Sequence, residues 1–439
     1  MKKLLGSTLA LALFLPAGAH AEMLKNLKLN GSLEVDAVSA NNATDLDTAK
    51  YDHLGTAQTR VMLNADWDLL DDVHAKVTLN KNNRAYGTAS ENLNGIQTAV
   101  TVEQAYLKID KLFGALDTTI GRQFYGDAGD LVIYYGPKMA LYGLPVTALD
   151  GGRFDWNGEK VGVTALVAKL TGSAVGTNDN ANVNLQGLKA MIKPMDGVSA
   201  SVYGYHRTTV NSIAGANTQN VRSPDNLYVV GLKGKATMGG AWAKAEVAKD
   251  FGELRPNGVT GNTNYSGWAG LADLGYKLDL SNVGALTGWA EGGVGSGGAA
   301  NHTFTAIAGD YRPGSIYGRF AAGSSAVLNN ANTSLGTNTL ADRVVFGAGV
   351  KLTPAMLTKL TAGLSWWNLR HQTANNLSAA AAGNKFIGNE YDLDLTWAHS
   401  ENVSVSAGVG TFQPGNFVKA TQGVNSPATL GYTDFSVKF

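Results

Sequence analysis

A membrane-spanning antiparallel β-barrel is the fold class predicted for this chain, and three observations predict it. Polar and apolar residues alternate over stretches longer than a soluble strand needs. Short turns take turns with long polar connections. Beyond the N-terminus, no stretch approaches the ~20 consecutive apolar residues of a membrane helix.

The N-terminus reads as a secretory leader. Met1-Lys2-Lys3 is basic, Leu4 to Leu15 is apolar, and Ala19-His20-Ala21 has the small-x-small form of a cleavage site. The expectation is a signal peptide over 1–21, leaving 22–439 as one barrel domain. Without those residues the chain carries 33 basic and 35 acidic side chains. A near-neutral chain argues against nucleic acid as a partner. Cysteine is absent, which excludes disulfides and thiolate metal sites.

The first strand sets the pattern. Leu27, Leu29, Gly31, Leu33, Val35 and Ala37 alternate with Lys28, Asn30, Ser32, Glu34 and Asp36. Next, Ala57 to Leu69 alternate with Gln58, Arg60, Met62, Asn64, Asp66 and Asp68. After Leu70-Asp71-Asp72 the chain returns with Val73, Ala75, Val77 and Leu79 opposing His74, Lys76, Thr78 and Asn80. Further short turns fall at 110–114, 157–159, 194–197, 236–239, 279–283, 353–356 and 398–402, with hairpin chemistry at Asn157-Gly158 and Asp196-Gly197. Long connections such as 41–53, 171–184, 208–225, 251–266 and 371–385 lie between them. That asymmetry places the short turns in the periplasm and the long loops outside. Eight turns and nine connections make about eighteen strands. Sixteen or twenty stay open, because 296–340 could be a ninth hairpin; its Pro and Gly content favours a large loop. The last strand, Gly431 to Phe439, again alternates.

One connection stands apart. Leu116 to Gln123 and Gly151 to Trp156 read as strands, and between them lie Asp127, Asp130 and the run Leu131-Val132-Ile133-Tyr134-Tyr135. So apolar a loop is costly to leave in water, so 124–147 is expected to fold inward as a constriction. Asp127 and Asp130 would then face Arg60, Arg84 and Arg153, with Asp155 beside them, setting a transverse field. The polar half of the alternation lists the lining: Glu34, Asp36, Lys76, Lys108, Lys189, Lys244, Glu246, Asp273, Glu390, Asp392 and Asp394. Its mixed signs predict a water-filled path without strong ion preference. The phase of Leu116, Thr118 and Ile120 sends Arg122 to the lipid side.

Catalysis has no support. Histidines are scattered singly, and there is no His-Glu-x-x-His, no Gly-x-Ser-x-Gly and no P-loop; neither catalytic nor metal residues nor a cofactor are expected.

Ile120-Gly121-Arg122-Gln123, Gly126-Asp127 and Asp150-Gly151-Gly152-Arg153, together with Gly388 to Leu395 and Phe412-Gln413-Pro414-Gly415, resemble the alginate-export family of outer-membrane barrels. The resemblance implies an eighteen-stranded pore in the bacterial outer membrane that passes a hydrophilic solute. A terminal Phe439 is similar to the signal read by the barrel-assembly machinery, and the resemblance leaves a homotrimer open as one option. Outer-membrane lipid and lipopolysaccharide would surround the barrel. Because an alginate exporter should present a basic lumen and this lining mixes signs, passive diffusion of small hydrophilic solutes or ions is the favoured function. A polysaccharide export channel and a surface scaffold or adhesin without transport are the alternatives.

Overall fold

The computed structural model of the protein describes residues 26–81, 100–171, 182–212, 222–254, 263–321, 339–373, 383–423 and 426–439. The signal-peptide expectation and Arg84 lie outside them. The chain runs through β1 (Leu27–Asn41), β2 (Leu54–Leu70), β3 (Val73–Lys81), β4 (Thr101–Leu112), β5 (Leu116–Gln123) and β6 (Leu149–Asn157). It continues through β7 (Val161–Thr171), β8 (Val183–Met195), β9 (Val198–Ser212), β10 (Arg222–Met238), β11 (Ala241–Leu254) and β12 (Trp268–Leu280). The last six are β13 (Gly284–Gly295), β14 (Arg343–Pro354), β15 (Leu360–His371), β16 (Phe386–Ala398), β17 (Val403–Pro414) and β18 (Ala428–Lys438).

Each strand pairs antiparallel with its sequence neighbours, and β18 closes the ring on β1 from Ser32↔Lys438 to Asn41↔Thr429. Closure satisfies every edge, which is what lets strands cross lipid. All eight short turns sit where turn chemistry places them. The segment 296–340 contains no ninth hairpin among its described residues, so the barrel has eighteen strands.

Burial follows the two-residue period. On β1, Asp36, Val38 and Ala40 are buried while Val35, Ala37 and Ser39 are exposed. Ile120, Val167, Leu188, Leu232, Leu274 and Val409 are all more than half exposed on the outer face, with Ile120 at 55%. Such a band would be intolerable in water and is the lipid-facing surface of a membrane barrel.

Candidate functional site

The lumen is crossed by the connection between β5 and β6. It turns inward at Tyr125–Gly126, which pairs with Tyr134–Tyr135 as a two-residue hairpin. Gly126 has φ +85°, and a Cβ there would lie 2.3 Å from the Ile133 carbonyl oxygen, so the turn requires glycine. The apolar run that marked this loop is fully inside: Leu131, Val132 and Ile133 expose 0, 1 and 4% of their surface.

The loop touches nearly opposite walls. On β2, the Gln58 amide donates to the Ala140 carbonyl, and Arg60 Nη1 donates to Lys138 O at 2.7 Å. On β10, Lys233 and Lys235 each place Nζ 2.9 Å from Asp127 Oδ2. Lys233 also pairs with Asp130, and Lys244 of β11 lies 3.4 Å from Asp130 Oδ1.

A second segment, between β13 and β14, is also folded inward, which the sequence reading did not anticipate. Phe304, Ile316, Tyr317 and Phe320 are at most 1% exposed, the last three on a π-helical turn, Gly314–Phe320. The two loops are joined. Tyr134 N donates to Ala308 O at 2.8 Å, Ile307 N and Ala308 N donate to Val132 O, and Asp310 N donates to Asp130 O at 2.9 Å. Gly129 N adds a bond to Asp310 Oδ2 at 3.1 Å, while Arg312 pairs with Asp310.

Loops inside a barrel carry backbone N–H groups with no strand beside them, and each needs an acceptor. Wall carboxylates supply it. Glu246 accepts from Leu131 N at 3.1 Å and from Tyr203 Oη at 2.7 Å. Glu390 accepts from Ile316 N at 2.7 Å and Tyr317 N at 2.9 Å, and Asp250 accepts from Thr305 N at 2.7 Å. Glu246 and Glu390 face inward as expected, and at 2 and 0% exposure both anchor loops, Glu246 from the edge of the cavity beside Asp127 and Asp130.

The remaining site residues divide in the same way. Arg60, 4% exposed, is held by Glu34 Oε2 at 2.7 Å and does not meet Asp127 or Asp130, because the loop's acidic end docks on the far wall. Arg153 pairs with Asp155 at 2.6 Å, and both share one cavity of about 230 Å³ with Asp127, Asp130, Lys189 and Lys233. On the other side of the loop, Lys138, Lys244, Asp273, Glu291, Arg312 and Trp367 line a cavity of about 380 Å³. Lys76 pairs with Asp66 at 2.9 Å and Lys108 with Asp110 at 2.5 Å, toward the periplasmic end. Asp392 accepts from Ser365 Oγ at 3.3 Å, and Asp394 accepts from the Tyr432 hydroxyl. Arg122 points outward, paired with Asp150 at 2.8 Å. Lys233 and Lys235 are the functional candidates that sequence reasoning missed. Their inward phase against Leu232 and Gly234 was the available signal.

Burial works to raise Asp127, but the ammonium groups of Lys233 and Lys235 overcome it and hold the carboxyl below the usual carboxylate range. A carboxyl depressed in the folded state contributes stability above its unfolded value of ~3.9, lost only as pH falls through the lower folded value. Acidification from pH 7 to about 4 should therefore leave the pairs of Asp127 with Lys233 and Lys235 closed. The distance from a probe at the loop tip to one on β10, titrated over that window, is expected to stay constant; a lengthening within it would mean that the lysine clamp opens earlier.

A family model described as alginate export matches residues 167–431. The chain belongs to the alginate-export family. Among solved structures it is similar to the outer membrane protein OpdK of Pseudomonas aeruginosa, with 12% identity, TM-score 0.55, and coverage of 94% of this chain and 98% of that one. OpdQ of the same organism is similar at 11% identity and TM-score 0.54, again with 94 and 98% coverage. An OpdK structure with vanillate has 10% identity, TM-score 0.51 and the same coverage. Identities this low compare folds only. No curated protein matches the chain. This member of the alginate-export family is an outer-membrane barrel channel and not an enzyme.

Proposed function

We propose that the barrel passes small hydrophilic solutes or ions by passive diffusion, with loop 124–147 and the segment between β13 and β14 as a joint constriction. The observation that carries this reading is the span of the first loop from Arg60 on β2 to Lys233 and Lys235 on β10. It leaves chambers of about 230 and 380 Å³, each lined by both signs of charge. Asp127, Asp130, Arg153, Asp155, Lys189, Lys233 and Lys244 would set the field that orients a solute. Vanillate, bound in one OpdK structure, is a carboxylate of a size that suits such chambers. Purified protein in a planar bilayer is expected to open stable, salt-dependent channels. A silent barrel would favour the surface scaffold.

Family membership favours a second reading, export of a polysaccharide. A polymer would need both loops to leave the lumen together, so steady conductance with the loops docked, and no block by added polyanion, supports diffusion. Removal of a leader at 1–21, recognition of Phe439 during assembly, and association into homotrimers complete the proposal.

A further inference from the structure

Apart from the periplasmic turns, the described strands carry their outward cations at one level. Among the described strand residues, those pointing toward lipid are Lys81, Arg122, Lys169, Lys249 and Arg370, all at or near the external ends of β3, β5, β7, β11 and β15. Lys81, Lys169 and Lys249 each lie eight residues on from the first residue of their strand, Val73, Val161 and Ala241. A lysine buried against hydrocarbon is costly, whereas one at the headgroup level meets phosphate.

At Lys249 the surroundings form a site. Lys249 sits between Val230 and Trp268 in the strand register. Its ammonium donates to the Ser266 carbonyl, which leaves two of its three N–H groups for another acceptor. His302, exposed, joins the same corner through Ser266 Oγ. Beside them His206, Tyr228 and Phe251 stack in parallel at 4.1 and 5.7 Å, an aromatic band of the kind that sits at a membrane interface. Toward the periplasm β8 to β11 hold an apolar groove of about 440 Å³, lined by Ala190, Ile192, Val202, Leu232, Gly234 and Val247.

We propose that this stretch of β8 to β12 seats one phosphate-bearing lipid of the external leaflet, its acyl chains in the groove and its phosphate at Lys249 and His302. Charge complementarity selects the occupant. A second outer groove, about 500 Å³ and lined by Ala37, Leu393, Leu395, Ala407, Val409 and Gly431, has no outward cation on its own strands, β1, β16, β17 and β18, among the described residues. It takes apolar chains without recognising a head.

The test is native mass spectrometry of the full-length barrel, stripped of lipid in detergent and offered lipid A with both phosphates or lipid A with the phosphates removed. Wild type is expected to retain one phosphorylated lipid A, and to hold the phosphate-free form at least about fivefold more weakly, the share of one lysine at the headgroup level. Lys249→Gln should weaken the phosphorylated form about fivefold, and His302→Gln should weaken it by the about two- to tenfold of one lost hydrogen bond. Gly234→Leu should fill the groove, since a Cβ there finds its nearest atom at 4.0 Å, and abolish retention. Gly431→Leu, equally open, should leave it intact. Equal retention of both lipids, no effect of Lys249→Gln, or equal losses from Gly234→Leu and Gly431→Leu would overturn the proposal. The heat-dependent gel shift of a closed barrel verifies that each variant is folded.

Discussion

Replacing Asp127 and Asp130 together by asparagine is expected to turn the channel toward anions. The shape of the loop is kept, while two negative charges vanish opposite Lys233, Lys235 and Lys244. A unit charge 4 Å from a passing ion is worth ~1 kcal/mol in water and more where water is excluded. One such charge acting in opposite directions on cations and anions already amounts to ~2 kcal/mol at that distance, so losing two should raise the anion-to-cation permeability ratio by at least about tenfold in dilute salt. Screening shortens to ~3 Å at 1 M, so most of the shift should disappear there. Reversal potentials under a salt gradient measure both effects. An unchanged ratio at low salt would place these carboxylates outside the permeation path. The Leu131 N–Glu246 bond keeps the loop attached in this variant, so total conductance serves as a check that it has not simply left the lumen.

Glu390→Ala is expected to free the second segment. It strips the acceptor from Ile316 N and Tyr317 N, both buried within the Gly314–Phe320 turn. Each orphaned N–H costs about 1–3 kcal/mol. Together they should shift the balance between docked and undocked turn by at least about thirtyfold. Larger and noisier single-channel conductance would report it. Glu390→Gln keeps one acceptor oxygen and should fall between the two. Conductance in Glu390→Ala identical to wild type would show that the segment is held by its apolar side chains and its bonds to the first loop.

The strands were legible in the sequence because lipid and lumen impose opposite chemistry on successive residues, and no other surface does so over eleven positions. Turns were legible for a related reason: Asp71-Asp72, Asn157-Gly158 and Asp196-Gly197 interrupt the alternation with turn residues. The inward fold of the first loop followed from Leu131-Val132-Ile133. The same signal existed in Phe304, Ile307, Ile316 and Phe320, but Pro313 and the surrounding glycines masked it, and the alternation of Ile316 to Phe320 imitated a strand. Facing was legible for Arg60, Arg153, Glu246 and Glu390, while partnership was not. The two-residue period says which side of the wall a residue occupies. It does not say which strand, a hundred residues away, the tip of a loop reaches; hence Lys233 took the place expected for Arg60. Nor does it distinguish a carboxylate that lines water from one that caps a backbone amide.

The bonds joining the two inward loops tie the chambers on either side of them into one equilibrium. A solute that settles beside Lys189 and Arg153 and favours one position of the first loop also favours one position of the second, and so alters the chamber at Lys138 and Arg312. Linkage makes the influence mutual, and equal in free energy in both directions. Two different solutes should therefore compete or assist without ever touching, each read by the other through the peptide bridge between Val132 and Ala308.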